Sequence, residues 1–104
     1  MENLFEKIVE LIKRNEILIS DHGYDEDDIF IDDAVHNAAK GELIETYPEY
    51  SKGPCILVLQ EDCGNRPIHV VWGIPKGQSS PAVLVTAYRP TPEKWSDGFK
   101  RRIE

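Results

Sequence analysis

Few side chains in this sequence combine reactivity with a position that could use it. Tyr88 and Arg89 stand side by side at the end of an apolar run, immediately before Pro90. A phenol can serve as a general acid, a stacking surface or a hydrogen-bond anchor. A guanidinium can clamp a phosphate or carboxylate through two parallel bonds. Proline cannot continue an interior ladder, so the strand must end or bulge at this pair. Alternation sends the two side chains to opposite faces unless the backbone kinks before Pro90. The plainer alternative is a tyrosine packed at the rim beside a solvated arginine.

Three histidines add groups that titrate near neutrality. His22 falls between a short apolar run and an acidic, helix-like stretch, where a rigid frame can present a loop residue to a substrate. Its structural alternative is capping or packing of the helix start. His69 lies mid-strand, away from the Ile68/Trp72 face, as a hydrogen-bonded structural group or a supporting one. His36 falls on the solvent side of the second helix. Trp95, following Thr91-Pro92-Glu93-Lys94, is expected to fold back onto the sheet.

The elements that must position these residues are legible from periodicity. Leu4, Ile8 and Leu11 share a face with Phe5, Val9 and Ile12, which predicts a helix over 3–14. Asn3 can cap it, and Glu10 and Arg14 make a favourable i,i+4 pair. Ile17–Ser20 reads as a brief edge strand. A second helix is expected from an Asp25 cap, with Asp28 in its first turn and Tyr24 and Ile29 as a hydrophobic staple. Its inward stripe is Ile31, Ala34, Val35 and Ala38, and Gly41 is its stop.

After Gly41 the period changes to two. The runs "ELIETY", "CILVLQE", "IHVVWGI" and "AVLVTAY" read as strands separated by turn-rich connections. Short connections favour an antiparallel meander. The expected class is α+β, with two N-terminal helices on a four-stranded antiparallel sheet and a possible short extra edge strand. In the last strand, Val83, Val85 and Ala87 are expected to oppose Leu84, Thr86 and Tyr88. One sheet face should receive the helices. The other is covered by a terminal segment or offered to a ligand or partner.

Bulk properties narrow the function classes. The 104 residues, 40% hydrophobic, fit one α+β domain over 1–104. No apolar run approaches transmembrane length, and the charged N-terminus is not a signal peptide, so a cytoplasmic protein without membrane contact is expected. Cys55 and Cys63 bracket one strand that would hold them about 26 Å apart, too far for a disulfide, and they have no metal-ligand spacing. No P-loop, dinucleotide fingerprint, nucleophile elbow or zinc motif is present, and no metal or cofactor is expected. Net charge is −7, but residues 1–50 carry −10 and residues 51–104 carry +3. The total argues against non-specific nucleic-acid binding, whereas the asymmetry allows a locally basic surface on an acidic body. Lys100, Arg101 and Arg102 form a basic tail of a kind that commonly just solvates a terminus.

The runs "ISDHG", "GPCILVLQ", "RPIHVVWGI" and "AVLVTAYRPTPEKW" resemble the small bacterial family of domains of unknown function 4258. The resemblance spans about residues 17–95, leaving helix 1–14 and tail 96–104 outside it. That family looks like a branch of the RelE-like nuclease toxins of toxin–antitoxin pairs. The resemblance implies a helix pair on a twisted antiparallel sheet, RNA meeting the exposed sheet face, and metal-independent cleavage with the RNA 2′-hydroxyl as nucleophile. It implies His22 as base or acid, Tyr88 as partner acid or stacking group, and Arg89 as phosphate clamp. His69, Thr86 and Trp95 are the binding or supporting groups, and an antitoxin-like protein is the implied partner. The other reading is a non-catalytic module that binds a protein, or itself, through the open sheet face. Convergence of His22, Tyr88 and Arg89 would favour the first, and an apolar face without convergent polar groups the second.

Overall fold

The computed structural model describes residues 3–20 and 29–103 of the chain. Helix α1 spans Leu4–Lys13 and is capped by the Asn3 side chain, which accepts from the Glu6 N–H at 2.8 Å. The Arg14–Glu10 pair forms at 2.8 Å on its exposed side. Strand β1 follows at Ile17–Ile19. Helix α2 covers only Ile31–His36 and passes through Asn37 into a 3₁₀ turn at Ala38–Lys40. Strands β2 (Glu42–Tyr47), β3 (Cys55–Glu61), β4 (Pro67–Gly73) and β5 (Ala82–Tyr88) complete the sheet. A two-stranded ribbon closes the described chain, with β6 at Trp95–Ser96 and β7 at Arg101–Arg102.

The class is mixed α+β, with five strands in the order β1-β5-β4-β3-β2. The pairs β2–β3, β3–β4 and β4–β5 are antiparallel, whereas β1 lies parallel to β5 at the edge. The meander has a simple cause. Its strands are joined by short turn-rich loops, while β1 returns to β5 only after most of the chain has passed. The short edge strand expected at 17–20 therefore joins the four-stranded meander as its fifth strand, and its pairing is parallel.

The second helix differs from the sequence expectation. Tyr24, Asp25 and Asp28 lie outside the described residues, but Phe30 is extended (φ −87°, ψ 130°) and the helix starts only at Ile31. Ile29, Phe30 and Ile31 are bulky or β-branched residues that lose side-chain freedom in a helix, which favours an extended entry. The first-turn acids are Asp32 and Asp33 instead. Gly41 ends the 3₁₀ turn at an ordinary φ of −76°, so left-handed backbone is not its role. A β-carbon there would stand 2.4 Å from Val58 Cγ1, so close packing is what requires glycine.

The core lies between the helices and one sheet face. Ile8, Leu11, Ala34 and Ala38 meet Ile56, Val58, Ile68, Val70, Trp72, Leu84 and Ala87. One buried polar chain crosses it. Trp72 Nε1 donates to Gln60 Oε1 at 3.0 Å, and Gln60 Nε2 donates to the Ala34 carbonyl at 2.8 Å. Gln60 thereby satisfies an indole and ties α2 to β3.

The last long strand also departs from simple alternation. Val71 pairs with Thr86 but Trp72 with Leu84, so Val85 is an extra residue in a β-bulge. Leu84 and Ala87 consequently both face the core, and Thr86 and Tyr88 share the opposite face with Val83. The expected grouping of Ala87 with Val83 against Leu84 is corrected by this bulge. Ser20 fastens it, donating its hydroxyl to the Val85 carbonyl at 2.7 Å.

Replacing Gln60 by Ala leaves the Trp72 N–H and the Ala34 carbonyl buried without that partner. It should cost about 2 kcal/mol of unfolding free energy, read as a lower urea midpoint at unchanged slope.

Candidate functional site

Register fixes what stands on the face away from the helices. Opposed residues in a ladder project to the same side. One row is Glu42, Leu59, His69 and Tyr88, and the next is Glu45, Leu57, Val71 and Thr86. A bulge at Ile44, between Leu43 and Glu45, lets Glu45 and Tyr47 join this face. The C-terminal segment folds across the first row, so Trp95 does return to the sheet and is only 4% exposed.

His69 is fully buried under that segment. Its Nε2 lies 2.8 Å from the Phe99 carbonyl and its Nδ1 3.2 Å from the Tyr88 hydroxyl. A carbonyl can only accept, so Nε2 carries the proton and the neutral ring takes the Tyr88 O–H at Nδ1. Tyr88 meets the imidazole edge-on at 5.3 Å between ring centres and Trp95 does so at 4.4 Å. Burial pushes the His69 pKa below the usual imidazole value, against the pull of the Phe99 carbonyl. Burial raises the Tyr88 pKa, keeping its hydroxyl protonated at neutral pH.

Beside this stack lies a charged cluster. Arg102 Nη2 bonds Glu45 Oε1 at 2.9 Å, and its guanidinium carbon sits 4.7 Å over the Trp95 ring. Tyr47 donates its hydroxyl to the same carboxylate oxygen, with Arg102 3.5 Å from the phenol oxygen. The Arg102 hydrogen bond, outweighing burial, holds the Glu45 pKa below the usual carboxylate value. Burial, and then the bond to Glu45, push Tyr47 up to about 12. The Arg102 pKa is raised by its bond to Glu45. An ionised carboxylate, a guanidinium and the Tyr47 phenol thus share one patch, and Tyr88 stands on the same sheet face beside His69.

Of the residues singled out in the sequence, His69, Thr86, Tyr88 and Trp95 meet on this face. His22 lies outside the described residues. Arg89 follows the last paired residue of β5. Its Nη2 pairs with Asp62 Oδ2 at 2.8 Å and its Nη1 approaches the Pro67 carbonyl at 3.4 Å. Asp62 also accepts from the backbone N–H groups of Gly64 and Arg66 at 2.9 Å each, organising the β3–β4 turn. The Arg66 N–H first, and the Arg89 guanidinium among the rest, hold the Asp62 pKa low. Through these contacts Arg89 braces the β3–β4 turn. His36 is exposed.

Glu45, Tyr47 and Arg102 were not singled out by sequence reasoning. Glu45 and Tyr47 alternate within "ELIETY", but neither bulge is announced in the sequence. Arg102 reads as one of three tail charges, and only the Trp95 turn brings it back. Among the described residues, no group of three His, Cys, Asp or Glu side chains is placed to hold a metal ion. Both cysteines are free thiols, Cys55 buried and Cys63 exposed. No helix among the described residues is long and apolar enough to cross a membrane.

The sequence profile of the family described as Domain of unknown function (DUF4258) matches residues 19–89, well over half of the chain. The chain belongs to this family. The DUF4258 span contains Glu45, Tyr47, His69, Thr86 and Tyr88, whereas Trp95 and Arg102 come from the segment beyond it. No curated protein and no solved structure matches the chain significantly.

Two outcomes follow from this geometry. Arg89→Ala should lower the urea midpoint, because it strips the Asp62 carboxylate of its ion-pair partner. An Arg89→Ala, Asp62→Asn double variant should lose less than the sum of the two single changes. For His69, the folded-state pKa lies below that of the unfolded chain, so as pH falls the unfolded state takes up the proton first. Stability should be level above the ordinary imidazole pKa near 6.5 and fall progressively below it. A His69→Phe variant should show a shallower fall between pH 7 and pH 5 in parallel denaturation series.

Proposed function

We propose that this DUF4258 domain is a metal-independent ribonuclease of the toxin–antitoxin type that cuts RNA on the sheet face bearing Tyr88. The observation that carries the reading is one sheet face that bears the Glu45–Arg102 pair and, three strands across, Tyr88, whose phenol feels both charges. Cleavage by the RNA 2′-hydroxyl needs a proton acceptor, a cation for the phosphate and a proton donor. In this reading Glu45 takes the 2′-hydroxyl proton as that oxygen bonds to phosphorus. Arg102 neutralises the non-bridging oxygens. Tyr88 protonates the 5′-oxygen as its bond to phosphorus breaks. The Tyr88 phenolate recovers a proton from Glu45 through solvent.

The electrostatics support this division of roles. Arg102 holds Glu45 ionised in the free protein. A phosphate entering the patch competes for the guanidinium. As Arg102 turns to the phosphate, the Glu45 carboxylate loses the contact that lowers its pKa and becomes a stronger base. Tyr88 is held in place by His69, which is itself fixed by Phe99 and Trp95, and its O–H turns from His69 Nδ1 to the 5′-oxygen when RNA binds. Arg102, rather than the Arg89 suggested by the family resemblance, is the cation of this site. His22 remains a further candidate base or acid. The toxin-type reading brings with it an antitoxin-like protein partner.

The purified chain should cleave single-stranded RNA without added metal and in the presence of a chelator. Glu45→Gln and Tyr88→Phe should each lose about 10²–10⁴-fold in rate while remaining folded by circular dichroism. Arg89→Lys should keep most of the rate. Absence of cleavage by the wild type, with no growth arrest on expression, rejects the proposal.

A further inference from the structure

The same sheet face continues past the charged patch into a second hollow of about 270 Å³. Cys55, Gly73, Val83 and Val85 form its floor, and Tyr50, Lys52 and Pro75 rise around it. The floor is apolar and low because its side chains are small or absent. The walls are preformed. Lys76 N donates to the Lys52 carbonyl at 2.9 Å and Ile74 N to the Pro54 carbonyl at 3.1 Å, joining the loops after β2 and β4. At their closest approach stands Gly53 at φ +133°, where a β-carbon would fall 2.1 Å from the Ile74 carbonyl oxygen. Only glycine permits that approach. Tyr50 remains 47% exposed at the rim.

We infer that this hollow is a nucleobase subsite for single-stranded RNA, holding the base of a nucleotide adjacent to the one that reacts. The inference rests on the ribonuclease reading of the neighbouring patch. Val85 and Tyr88 are three positions apart on β5, about 10 Å along the strand, within the reach of a neighbouring nucleotide. The hollow is short and closed by two loops, so it admits one flat group rather than an extended peptide. The exposed Tyr50 ring offers a stacking surface, as aromatic side chains do in single-strand binders. Lys52 supplies a cation for the adjoining phosphate, and it belongs to the half of the chain with net charge +3. The largely aliphatic floor offers few groups to read base edges, so the subsite selects an unpaired base without strong preference among the four.

The test uses the full chain carrying Glu45→Gln and a 2′-O-methyl RNA tetranucleotide, which cannot be cut, followed by amide NMR. Resonances of Gly53, Gly73 and Val83 should shift, and oligo-A and oligo-U should bind within a few-fold of each other. Tyr50→Ala, at an exposed rim position, should weaken binding by roughly 10-fold or more while the far-ultraviolet circular dichroism stays unchanged. Gly73→Ala, which places a β-carbon 3.1 Å from Cys55 Cβ and fills the floor, should weaken it as well. Unchanged affinity in Tyr50→Ala, or shifts confined to the Tyr88 end of the face, overturns the subsite. So do shifts at the hollow that follow protein concentration without RNA, which would make it a protein contact. RNA cleavage by the wild type with no response at the hollow removes the subsite and leaves the cleaving patch. An RNA-induced response at the hollow, weakened by Tyr50→Ala, in a chain that cuts no RNA keeps the subsite and removes the patch.

Discussion

An extra residue in β5 governs how the terminal motif of this fold is presented. Without the Val85 bulge, Leu84, Thr86 and Tyr88 would share a face, and a tyrosine would be driven toward the helices or a leucine toward solvent. With it, Leu84 and Ala87 both enter the core while Thr86 and Tyr88 remain opposite. A bulge interrupts ladder pairing locally, and the Ser20 hydroxyl on the Val85 carbonyl compensates at that point. The short parallel strand β1 is thus more than an edge: Ser20, just after it, fastens the bulge.

The second consequence concerns the C-terminal segment. Tyr88 on the open face would leave His69 beside it exposed. Instead Trp95 and Phe99 close over the imidazole and fix its tautomer, and Arg102 is carried to Glu45 by the same turn. Packing and electrostatics are coupled here. Arg102 stacks over Trp95 while its hydrogen bond holds the Glu45 pKa below the usual carboxylate value. The matched DUF4258 span supplies the carboxylate and both phenols, and the segment beyond it supplies the cation. An ion pair this exposed contributes little to stability on its own, which is consistent with a guanidinium free to exchange its partner for a phosphate.

Much of the fold was legible because the sequence patterns are locally consistent. The strands Glu42–Tyr47, Cys55–Glu61 and Ala82–Tyr88 coincide with their apolar runs, and Asn3 caps α1 as its position suggests. The short run at Ile17–Ile19 announced a strand, but nothing local announced that its partner would be β5, since that pairing is set by long-range packing. Helix α2 starts at Ile31 because Ile29–Phe30 favours extended backbone, which the acidic run before it does not announce. Of the site, Tyr88, His69, Thr86 and Trp95 were legible as polar or aromatic residues near a forced strand end. For Arg89 the sequence shows a cation beside Pro90, and only the fold reveals its pairing with Asp62. Glu45 and Arg102 were hidden because their meeting depends on the bulge at Ile44 and a reversing tail.

The central claim is that RNA is cut at the Tyr88 face by its own 2′-hydroxyl. The chemistry of the new ends tests it most directly. Mass spectrometry of oligonucleotides incubated with the purified chain should find 2′,3′-cyclic phosphate on one fragment and 5′-hydroxyl on the other, because the 2′-oxygen has displaced the 5′-oxygen from phosphorus. Fragments ending in 3′-hydroxyl and 5′-phosphate, or RNA recovered intact, would contradict it.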